Sequence, residues 1–267
     1  MKQHTKGLAV ITGASSGIGA VYADRLAQRG YDLLLVARSR ERMADLAKKL
    51  SETGRKVEIL VADLTVSSDL AKLAQVLRED SRVTMLVNNA GVGSTTPLLN
   101  SDVADMSRMI ALNVEGLTRL TYAAVPAFVK RGSGTIINIA SVVAISPELL
   151  NGVYGGTKAF VLAFSQSLRH ELANTGVKIQ VVLPGATATN FWNVAGTPVE
   201  HLPQEIVMST EDMVDAALVG FDQGEFVTIP ALPDAGEWES YEARRQALMP
   251  NLSRAEPAAR YTHSFSP

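Results

Sequence analysis

The amino-acid sequence predicts a doubly wound α/β fold, in which a mostly parallel seven-stranded sheet carries helices on both faces. Two observations support this fold class. Short runs rich in Val, Ile and Leu recur along the chain, and segments of helical length and pattern separate them. Near-continuous apolar runs are typical of strands covered on both faces, and strands that alternate with helices form right-handed βαβ units in a parallel sheet.

The individual elements follow from the periodicity of the apolar residues. Strands are predicted at residues 8–12, 32–37, 57–61, 84–88, 135–140, 178–183 and 226–229. Helices are predicted at residues 17–29, 40–53, 67–80, 102–131, 153–175 and 210–221. No internal repeat, low-complexity tract or Pro/Gly-rich linker divides the chain, so we expect a single domain over residues 1–267.

Two regions interrupt the alternation of strands and helices. Residues 186–209 are irregular and contain Phe191 and Trp192, and a long loop inside a compact domain is usually functional or mobile. Residues 231–267 form a C-terminal extension with a helix-like piece near residues 237–248. We expect this extension to pack on the domain or on a second subunit, and the sequence assigns no role to the run 249–261.

The composition excludes several function classes. A formal net charge of -2 with 19% charged residues gives no electrostatic reason to expect nucleic acid or a membrane as a partner. The absence of cysteine excludes disulfides, thiolate metal sites and thiol catalysis. No secretory signal and no apolar run of about 18 residues is found, so a cytoplasmic protein is predicted. No metal site is expected, because no ligand spacing relates the four histidines, which are His4, His170, His201 and His263.

A glycine-rich turn follows the first predicted strand and leads into a helix. Its sequence, T-G-A-S-S-G-I-G at residues 12–19, places glycines at 13, 17 and 19. Glycines allow a tight turn and let backbone N–H groups approach a pyrophosphate at the positive end of the helix. Such a turn alone is equally consistent with a simple loop, but its position at the start of a βαβ unit favours a dinucleotide site of the Rossmann type.

The second predicted strand ends at Ala37 and Arg38, where an acidic side chain usually holds the ribose 2′-hydroxyl of NAD. A guanidinium attracts a 2′-phosphate, so Arg38 predicts NADP(H) in preference to NAD(H). The alternative is a solvated surface arginine. Asp63 and Leu64 after the third strand, and the N-N-A-G segment 88–91 after the fourth, lie where ligands collect in parallel sheets, although Asp and Asn are also ordinary turn residues.

A candidate catalytic pair lies at the start of the helix after the fifth strand. Tyr154 and Lys158 are four residues apart and therefore share one helix face. A nearby cation favours a phenolate, and a tuned phenol can donate a proton to a developing alkoxide or remove one from an alcohol. Ser141 ends the fifth strand, where its hydroxyl could bond a substrate oxygen, and Asn113 lies in the preceding long helix as a further polar group.

Taken together, these motifs resemble the short-chain dehydrogenase/reductase family over nearly the whole chain to about residue 230. The resemblance consists of T-G-x-x-x-G-x-G at 12–19, N-N-A-G at 88–91, Asn113, Ser141, Y-x-x-x-K at 154–158 and P-G-x-x-x-T at 184–189. It implies that Tyr154 is the general acid/base and that Ser141 orients and polarises the carbonyl. It also implies that Lys158 binds the nicotinamide ribose and lowers the pKa of Tyr154, while Asn113 holds a water for a proton relay.

The resemblance further implies a set of cofactor contacts, in which Asp63 meets the adenine end, Asn89 the cofactor backbone and Thr189 the carboxamide. The full set is Gly13, Ser15, Ser16, Gly17, Ile18, Gly19, Arg38, Asp63, Leu64, Asn89, Ala90, Gly91, Tyr154, Lys158, Pro184, Gly185, Thr187 and Thr189. Residues 186–209 are implied to be a substrate lid. The segments 102–131 and 153–175 are implied to join subunits into a dimer or tetramer.

The sequence therefore predicts an NADPH-preferring oxidoreductase that interconverts a carbonyl and an alcohol of a small molecule. An NADPH-binding regulatory protein on the same fold, without turnover, is the alternative from another functional class. A third hypothesis, removal of a leaving group without net hydride transfer, usually goes with a degraded cofactor site, which the intact glycines and Arg38 argue against. Sugar, steroid, fatty-acyl and small-aldehyde substrates all remain open.

Overall fold

The computed structural model describes residues 5–261, and its sheet confirms the predicted fold class. The seven strands are β1 (Leu8–Thr12), β2 (Asp32–Ala37), β3 (Val57–Val61), β4 (Val83–Asn88), β5 (Gly134–Ile139), β6 (Val177–Val182) and β7 (Val227–Thr228). All neighbouring strands are parallel, in the order β3-β2-β1-β4-β5-β6-β7. The order reverses between β1 and β4, which places a crevice at the carboxyl ends of these two strands.

Helices cover both faces of this sheet. They are α1 (Gly17–Gln28), α2 (Arg40–Ser51), α3 (Ser67–Glu79), α4 (Val103–Ile110), α5 (Leu117–Arg131), α6 (Gly152–Glu171), α7 (Phe191–Ala195), α8 (Thr210–Gln223) and α9 (Ala235–Ala247). The alternation of side chains along β2 shows the two-sided burial directly. Leu33 and Leu35 pack in the core layer that contains residues of α1, α2 and α8, whereas Leu34 and Val36 pack in the layer that contains residues of α3 and α5.

The helix predicted over residues 102–131 is present from Val103 to Arg131, but it is not α-helical throughout. The helix is divided by a π-helical segment, Ala111–Gly116, which separates α4 from α5 and carries Asn113. A single widened turn shifts the apolar pattern only slightly, so periodicity does not reveal it. Such turns often occur at functional sites. The helix predicted at 153–175 is α6, which ends at Glu171.

The C-terminal part of the chain forms a unit of its own. Contacts divide the chain into two compact units, Met1–Pro230 and Ala231–Pro267. Within the second unit, α9 begins after Asp234, whose carboxylate accepts a hydrogen bond from the Gly236 N–H at 2.8 Å. The Trp238 and Tyr241 rings on this helix lie 5.3 Å apart.

Two further observations concern residues 5–261. Within this range, no helix combines the length and apolar character needed to cross a membrane. His170 and His201 are exposed, and the described residues contain no group of three or more His, Cys, Asp or Glu side chains able to hold a metal ion. His4 and His263 lie outside the described residues.

Candidate active site

The carboxyl ends of four adjacent strands bring the predicted site residues to one edge of the sheet. The glycine-rich turn follows β1 and the segment 88–91 ends β4 and follows it. Ser141 follows β5, and Pro184 follows β6. Because parallel strands all end at the same edge, the fold gathers these segments around the crevice between β1 and β4.

The turn after β1 requires glycine at two positions for different reasons. Gly13 has φ +68°, and a Cβ atom there would lie 2.8 Å from Asn89 Nδ2. Gly19 has ordinary backbone angles, but its Cβ would lie 2.5 Å from the carbonyl oxygen of Gly13. Side chains would therefore fill the concave turn, and their absence leaves the backbone accessible to a ligand.

The turn also presents an open helix N-terminus. Ser16 occupies the N-cap position of α1, and its side chain makes no capping hydrogen bond within the described chain. The first turn of α1 is uncharged in sequence. The N–H groups of this turn therefore remain able to bind an anion, and the helix dipole favours negative charge there. Thr189 lies on the other side, since a Cβ at Gly17 would come within 3.1 Å of its methyl group.

Thr12 fixes the turn against β4, a role that sequence analysis did not assign. Its hydroxyl accepts hydrogen bonds from the N–H groups of Asn89 and Ala90, both at 3.0 Å, and donates to the Val87 carbonyl at 3.2 Å. The Asn89 side-chain amide donates to the carbonyls of Thr12 at 2.9 Å and Gly13 at 3.3 Å. The Asn89 amide nitrogen thus stabilises the glycine-rich turn itself.

Arg38 and Asp63 approach each other at the ends of β2 and β3. Arg38 is exposed, and its positive charge contributes to lowering the pKa of Asp63. The larger cause of that lowered pKa is Thr65, which donates to the carboxylate from its hydroxyl at 2.7 Å and from its N–H at 2.9 Å. Leu64 differs from both, because its side chain is buried in the core layer shared with α3 and α5.

The first two turns of α6 hold Tyr154 and Lys158 in the crevice. Asn151 caps this helix, since its Oδ1 accepts hydrogen bonds from the N–H groups of Val153 at 2.9 Å and Tyr154 at 3.4 Å. Its Nδ2 donates to the Thr96 carbonyl at 2.7 Å and so ties the helix to the loop after β4. An Asn just before an apolar helix is a recognisable capping signal that the sequence analysis did not use.

Burial governs the ionisation of both candidate catalytic groups. Burial raises the pKa of Tyr154 to about 12, and a hydrogen bond with the Ser141 side chain acts in the opposite direction. Burial lowers the pKa of Lys158 to about 8. The resemblance implied that Lys158 lowers the pKa of Tyr154, and this stays a prediction; loss of solvent outweighs the opposing effect of Ser141 on that pKa. The phenol is therefore protonated at neutral pH.

The four candidate catalytic residues lie near one another. Lys158 Nζ lies 5.8 Å from the centre of the Tyr154 ring and donates to the carbonyl of Ile139 at 2.9 Å. The Ser141 side chain lowers the pKa of Tyr154, and its hydroxyl accepts a hydrogen bond from the Val143 N–H at 3.3 Å. A Cβ at Gly91 would lie 3.5 Å from Lys158 Nζ and 3.2 Å from Asn113 Oδ1, which places Asn113 beside the lysine.

The Asn113 side chain is occupied by structural hydrogen bonds. Its Oδ1 accepts from the Val92 N–H at 3.0 Å, and its Nδ2 donates to the Val92 carbonyl at 2.8 Å and to Thr157 Oγ1 at 3.1 Å. The Thr157 hydroxyl in turn donates to the Tyr154 carbonyl at 2.8 Å. Asn113 therefore links the loop after β4 to the tyrosine-bearing turn, and Thr157 is a linking residue that sequence analysis missed.

The segment after β6 is anchored near the site. The Pro184 carbonyl accepts from the Val142 N–H at 3.0 Å, and the Thr187 hydroxyl donates to Gly185 O at 3.2 Å. Residues 186–209, predicted to be irregular, contain the short helix α7. The Phe191 ring at the start of α7 lies 5.6 Å from the Tyr154 ring, so this segment forms one wall of the crevice.

The chain is similar to known proteins in both sequence and structure. A family model described as short chain dehydrogenase matches residues 7–198. A short-chain dehydrogenase from Sphingobium yanoikuyae in complex with NADPH is 48% identical, with a TM-score of 0.93, and the alignment covers 96% of this chain and 99% of that one.

Two more relatives extend the comparison. A bulky-bulky ketone specific alcohol dehydrogenase from Comamonas testosteroni is 43% identical, with a TM-score of 0.89, over 97% of this chain and 100% of that one. An uncharacterized oxidoreductase of Staphylococcus epidermidis is 38% identical over 223 residues, which are 83% of this chain and 94% of the relative.

Proposed function

The chain belongs to the short-chain dehydrogenase/reductase family, and from this premise we propose that it is an NADPH-preferring oxidoreductase that interconverts a carbonyl and an alcohol. One observation carries the proposal. A phenol that burial keeps protonated, Tyr154, lies close enough to Ser141 for that side chain to lower its pKa, and Lys158 Nζ lies 5.8 Å from the centre of its ring, in the crevice beside the glycine-rich turn. This arrangement supports proton donation to a carbonyl oxygen.

Each catalytic side chain has a distinct task in the proposed mechanism. A bound nicotinamide cofactor supplies hydride for the carbonyl carbon in the reductive direction. Tyr154 gives its phenolic proton to the carbonyl oxygen, and Ser141 holds that oxygen by a hydrogen bond. The ammonium of Lys158 stabilises the phenolate left on Tyr154. In the oxidative direction the phenolate takes the proton back from the alcohol.

Asn113 is a positioning residue in this proposal. Its bonds to Val92 and Thr157 hold the loop after β4 at a fixed distance from the turn that carries Tyr154. Asn113 Oδ1 accepts one hydrogen bond, from the Val92 N–H, so its second lone pair can still accept a hydrogen bond from a water of the proposed relay.

The groups around the glycine-rich turn suit a nicotinamide dinucleotide. The glycine turn, the open N-terminus of α1 and Thr189 surround the place where a pyrophosphate and a nicotinamide would lie. Arg38 is exposed and placed to bind a 2′-phosphate, which supports NADP(H) over NAD(H). The Sphingobium relative is described in complex with NADPH. The remaining predicted contacts, including Asp63, Ala90 and Gly185, are part of this proposal.

Broader predictions about the domain, the location, the assembly and the substrate also belong to the proposal. Residues 186–209 act as the substrate lid of a single catalytic domain, with residues 231–267 as an extension. The protein is cytoplasmic and forms a homo-oligomer. The substrate is a ketone with a bulky group on each side of the carbonyl, because the Comamonas relative is described as specific for such ketones and the groups packed around Tyr154 are apolar.

The proposal is tested by NADPH oxidation across aldehydes, small ketones, bulky ketones, quinones and 3-oxoacyl thioesters. We expect turnover to be fastest with bulky ketones. Tight NADPH binding without turnover of any carbonyl would support the regulatory alternative instead.

A further inference from the structure

The Phe191 ring is held firmly against the proposed proton donor. Its centre lies 5.6 Å from the centre of the Tyr154 ring, at an interplanar angle of 44°. Trp192 supports it with an edge-on contact at 5.5 Å, and the indole N–H of Trp192 donates to the Thr187 carbonyl at 2.9 Å. Trp192 is buried, so Phe191 rests on an anchored neighbour.

Gly93 provides the space that the Phe191 ring occupies. A Cβ atom at Gly93 would lie 2.3 Å from Cζ at the tip of Phe191 and 3.2 Å from Cε2 of Tyr154. Cε2 is bonded to the ring carbon that carries the Tyr154 hydroxyl. The tip of Phe191 therefore lies next to the reacting end of the phenol.

The loop that contains Gly93 also holds α7 in place. The hydroxyl and the N–H of Thr95 both donate to the carbonyl of Ala195, at 3.0 Å and 2.8 Å. These bonds fix the end of the helix that begins with Phe191. The position of the ring relative to Tyr154 is thus set by two connections to the loop after β4, one by packing and one by hydrogen bonds.

Apolar side chains form one packed cluster with Tyr154. They are Met109, Val143, Val92, Met106, Leu150, Val153 and Phe191. Apolar walls with a few polar groups are typical of pockets that bind uncharged ligands. A substituent on a carbonyl whose oxygen is bonded to Tyr154 would meet this wall, with Phe191 as its largest member.

We propose that Phe191 is the residue that determines which substituents the carbonyl carbon can carry, its ring limiting the size of the group beside Tyr154. The inference rests on the proposed function, since it takes Tyr154 as the proton donor. Removing the ring leaves room for several carbon atoms next to the reacting bond. Even one methylene in an apolar pocket changes selectivity about tenfold or more, so the effect is measurable.

A purely structural role for Phe191 has a different consequence. If the ring only supported the fold, its loss would reduce kcat/KM for all ketones by the same factor. A specificity role changes the ratio of kcat/KM values between a large and a small ketone. Cyclohexyl methyl ketone and dicyclohexyl ketone form a suitable pair, because they differ only in the size of one substituent.

The first test compares Phe191→Ala with Val219→Ala, a truncation at an exposed position of α8, outside the proposed site. With NADPH, we expect Phe191→Ala to raise the ratio of kcat/KM for dicyclohexyl ketone over cyclohexyl methyl ketone about tenfold or more. Val219→Ala should leave the ratio unchanged. A ratio within about twofold of the parent in Phe191→Ala would overturn the inference.

The second test uses Gly93→Ala alone and together with Phe191→Ala. The added methyl collides with the Phe191 tip, so Gly93→Ala alone should disturb turnover of both ketones. In the double variant the methyl enters the vacated space, and turnover should recover above that of Gly93→Ala. Purely additive losses would show that the two positions do not share one space, against the inference.

The third test measures binding without turnover. Trp192 and Trp238 are the two tryptophans, so in a Trp238→Phe background the fluorescence reports the residue in contact with Phe191. Titration of the NADP⁺ complex, which has no hydride to transfer, with each ketone should show the same shift in the ratio of Kd values. If this shift appears but no ketone is turned over with NADPH, the proposed function fails, and Phe191 selects only which ketones bind; turnover with unchanged ratios overturns the inference alone.

Discussion

At the scale of single residues, Lys158 shows how a proposed catalytic group can act against the stability of the fold. Its ammonium lies in an environment that burial makes unfavourable for charge, and burial lowers its pKa to about 8. One carbonyl, that of Ile139, accepts a hydrogen bond from it at 2.9 Å. The positive charge suits the proposed stabilisation of a phenolate, but the folded protein must hold a charge that the unfolded chain exposes to water.

This conflict predicts that Lys158→Met stabilises the protein while abolishing turnover. Between about pH 8 and 10.5 the unfolded chain binds a proton that the folded protein has released, so the free energy of unfolding of the parent rises with pH in that window. At pH 7 the variant should be more stable by roughly 2 kcal/mol, after the loss of one hydrogen bond. The advantage should shrink towards pH 10.5.

Urea denaturation of the cofactor-free protein at pH 7 and at pH 10 measures this effect. Lys48→Met, at an exposed lysine of α2, serves as the control and should show no pH-dependent gain. A Lys158→Met variant that is less stable than the parent at pH 7 would contradict the assigned environment.

Arg38 carries the prediction of cofactor choice. Replacing it by aspartate substitutes repulsion for attraction at the 2′-phosphate, and hydrogen bonds to charged groups contribute about 1.5–3 kcal/mol. Arg38→Asp should therefore weaken NADPH binding at least about tenfold and reverse the order of thermal stabilisation by NADPH and NADH. Lys130→Asp serves as the control, because it makes the same charge change at the end of α5. This end of α5 leads into β5 and therefore lies at the edge of the sheet opposite to Arg38. Equal thermal shifts with both cofactors in the parent would refute the role of Arg38.

At the scale of elements, the turn between β1 and α1 has a shape that only glycine allows. Gly13 has φ +68°, and the space for its Cβ is taken by Asn89 and Ala90. Gly132, after α5, has the same φ of +68°, but nothing in the described chain lies within 4 Å of its Cβ position. A comparison of alanine substitutions at the two glycines therefore separates the cost of a left-handed backbone conformation from the cost of a steric collision at Cβ.

Alanine at these two positions should have different consequences. Gly132→Ala should cost about 1 kcal/mol of stability through the left-handed backbone and leave NADPH binding unchanged. Gly13→Ala adds a collision with the braced loop after β4, so it should also weaken NADPH binding strongly. Isothermal titration with NADPH and thermal melts distinguish the two effects. Undiminished NADPH affinity in Gly13→Ala would contradict the proposal that the glycine-rich turn binds the cofactor.

At the scale of the whole molecule, the sequence predicted the sheet because its strands are apolar on both faces. Leu33, Leu34, Leu35 and Val36 are all buried, in alternating layers. Motif spacing likewise predicted that Ser141, Tyr154 and Lys158 meet, since each follows or ends an element whose place the fold determines. These predictions needed only local pattern and topology.

Other features depend on contacts between distant segments and were beyond sequence analysis. In the π-helical turn, the side chain of Asn113 forms hydrogen bonds with Val92 and Thr157, which lie in other segments of the chain. The raised pKa of Tyr154 follows from the depth of its burial, which spacing does not reveal. The approach of Phe191 to Gly93 joins segments almost a hundred residues apart, and no local signal marks it.

The most direct test of the account is Tyr154→Phe, measured by single-turnover reduction of a bulky ketone and by NADPH titration. Loss of the proton donor should reduce the rate about 10²–10⁴-fold, while the Kd for NADPH stays within about twofold. Tyr241→Phe, at a half-exposed tyrosine of α9, should change neither quantity. A Tyr154→Phe variant that reduces the ketone at close to the parent rate would contradict the central claim that this phenol supplies the proton.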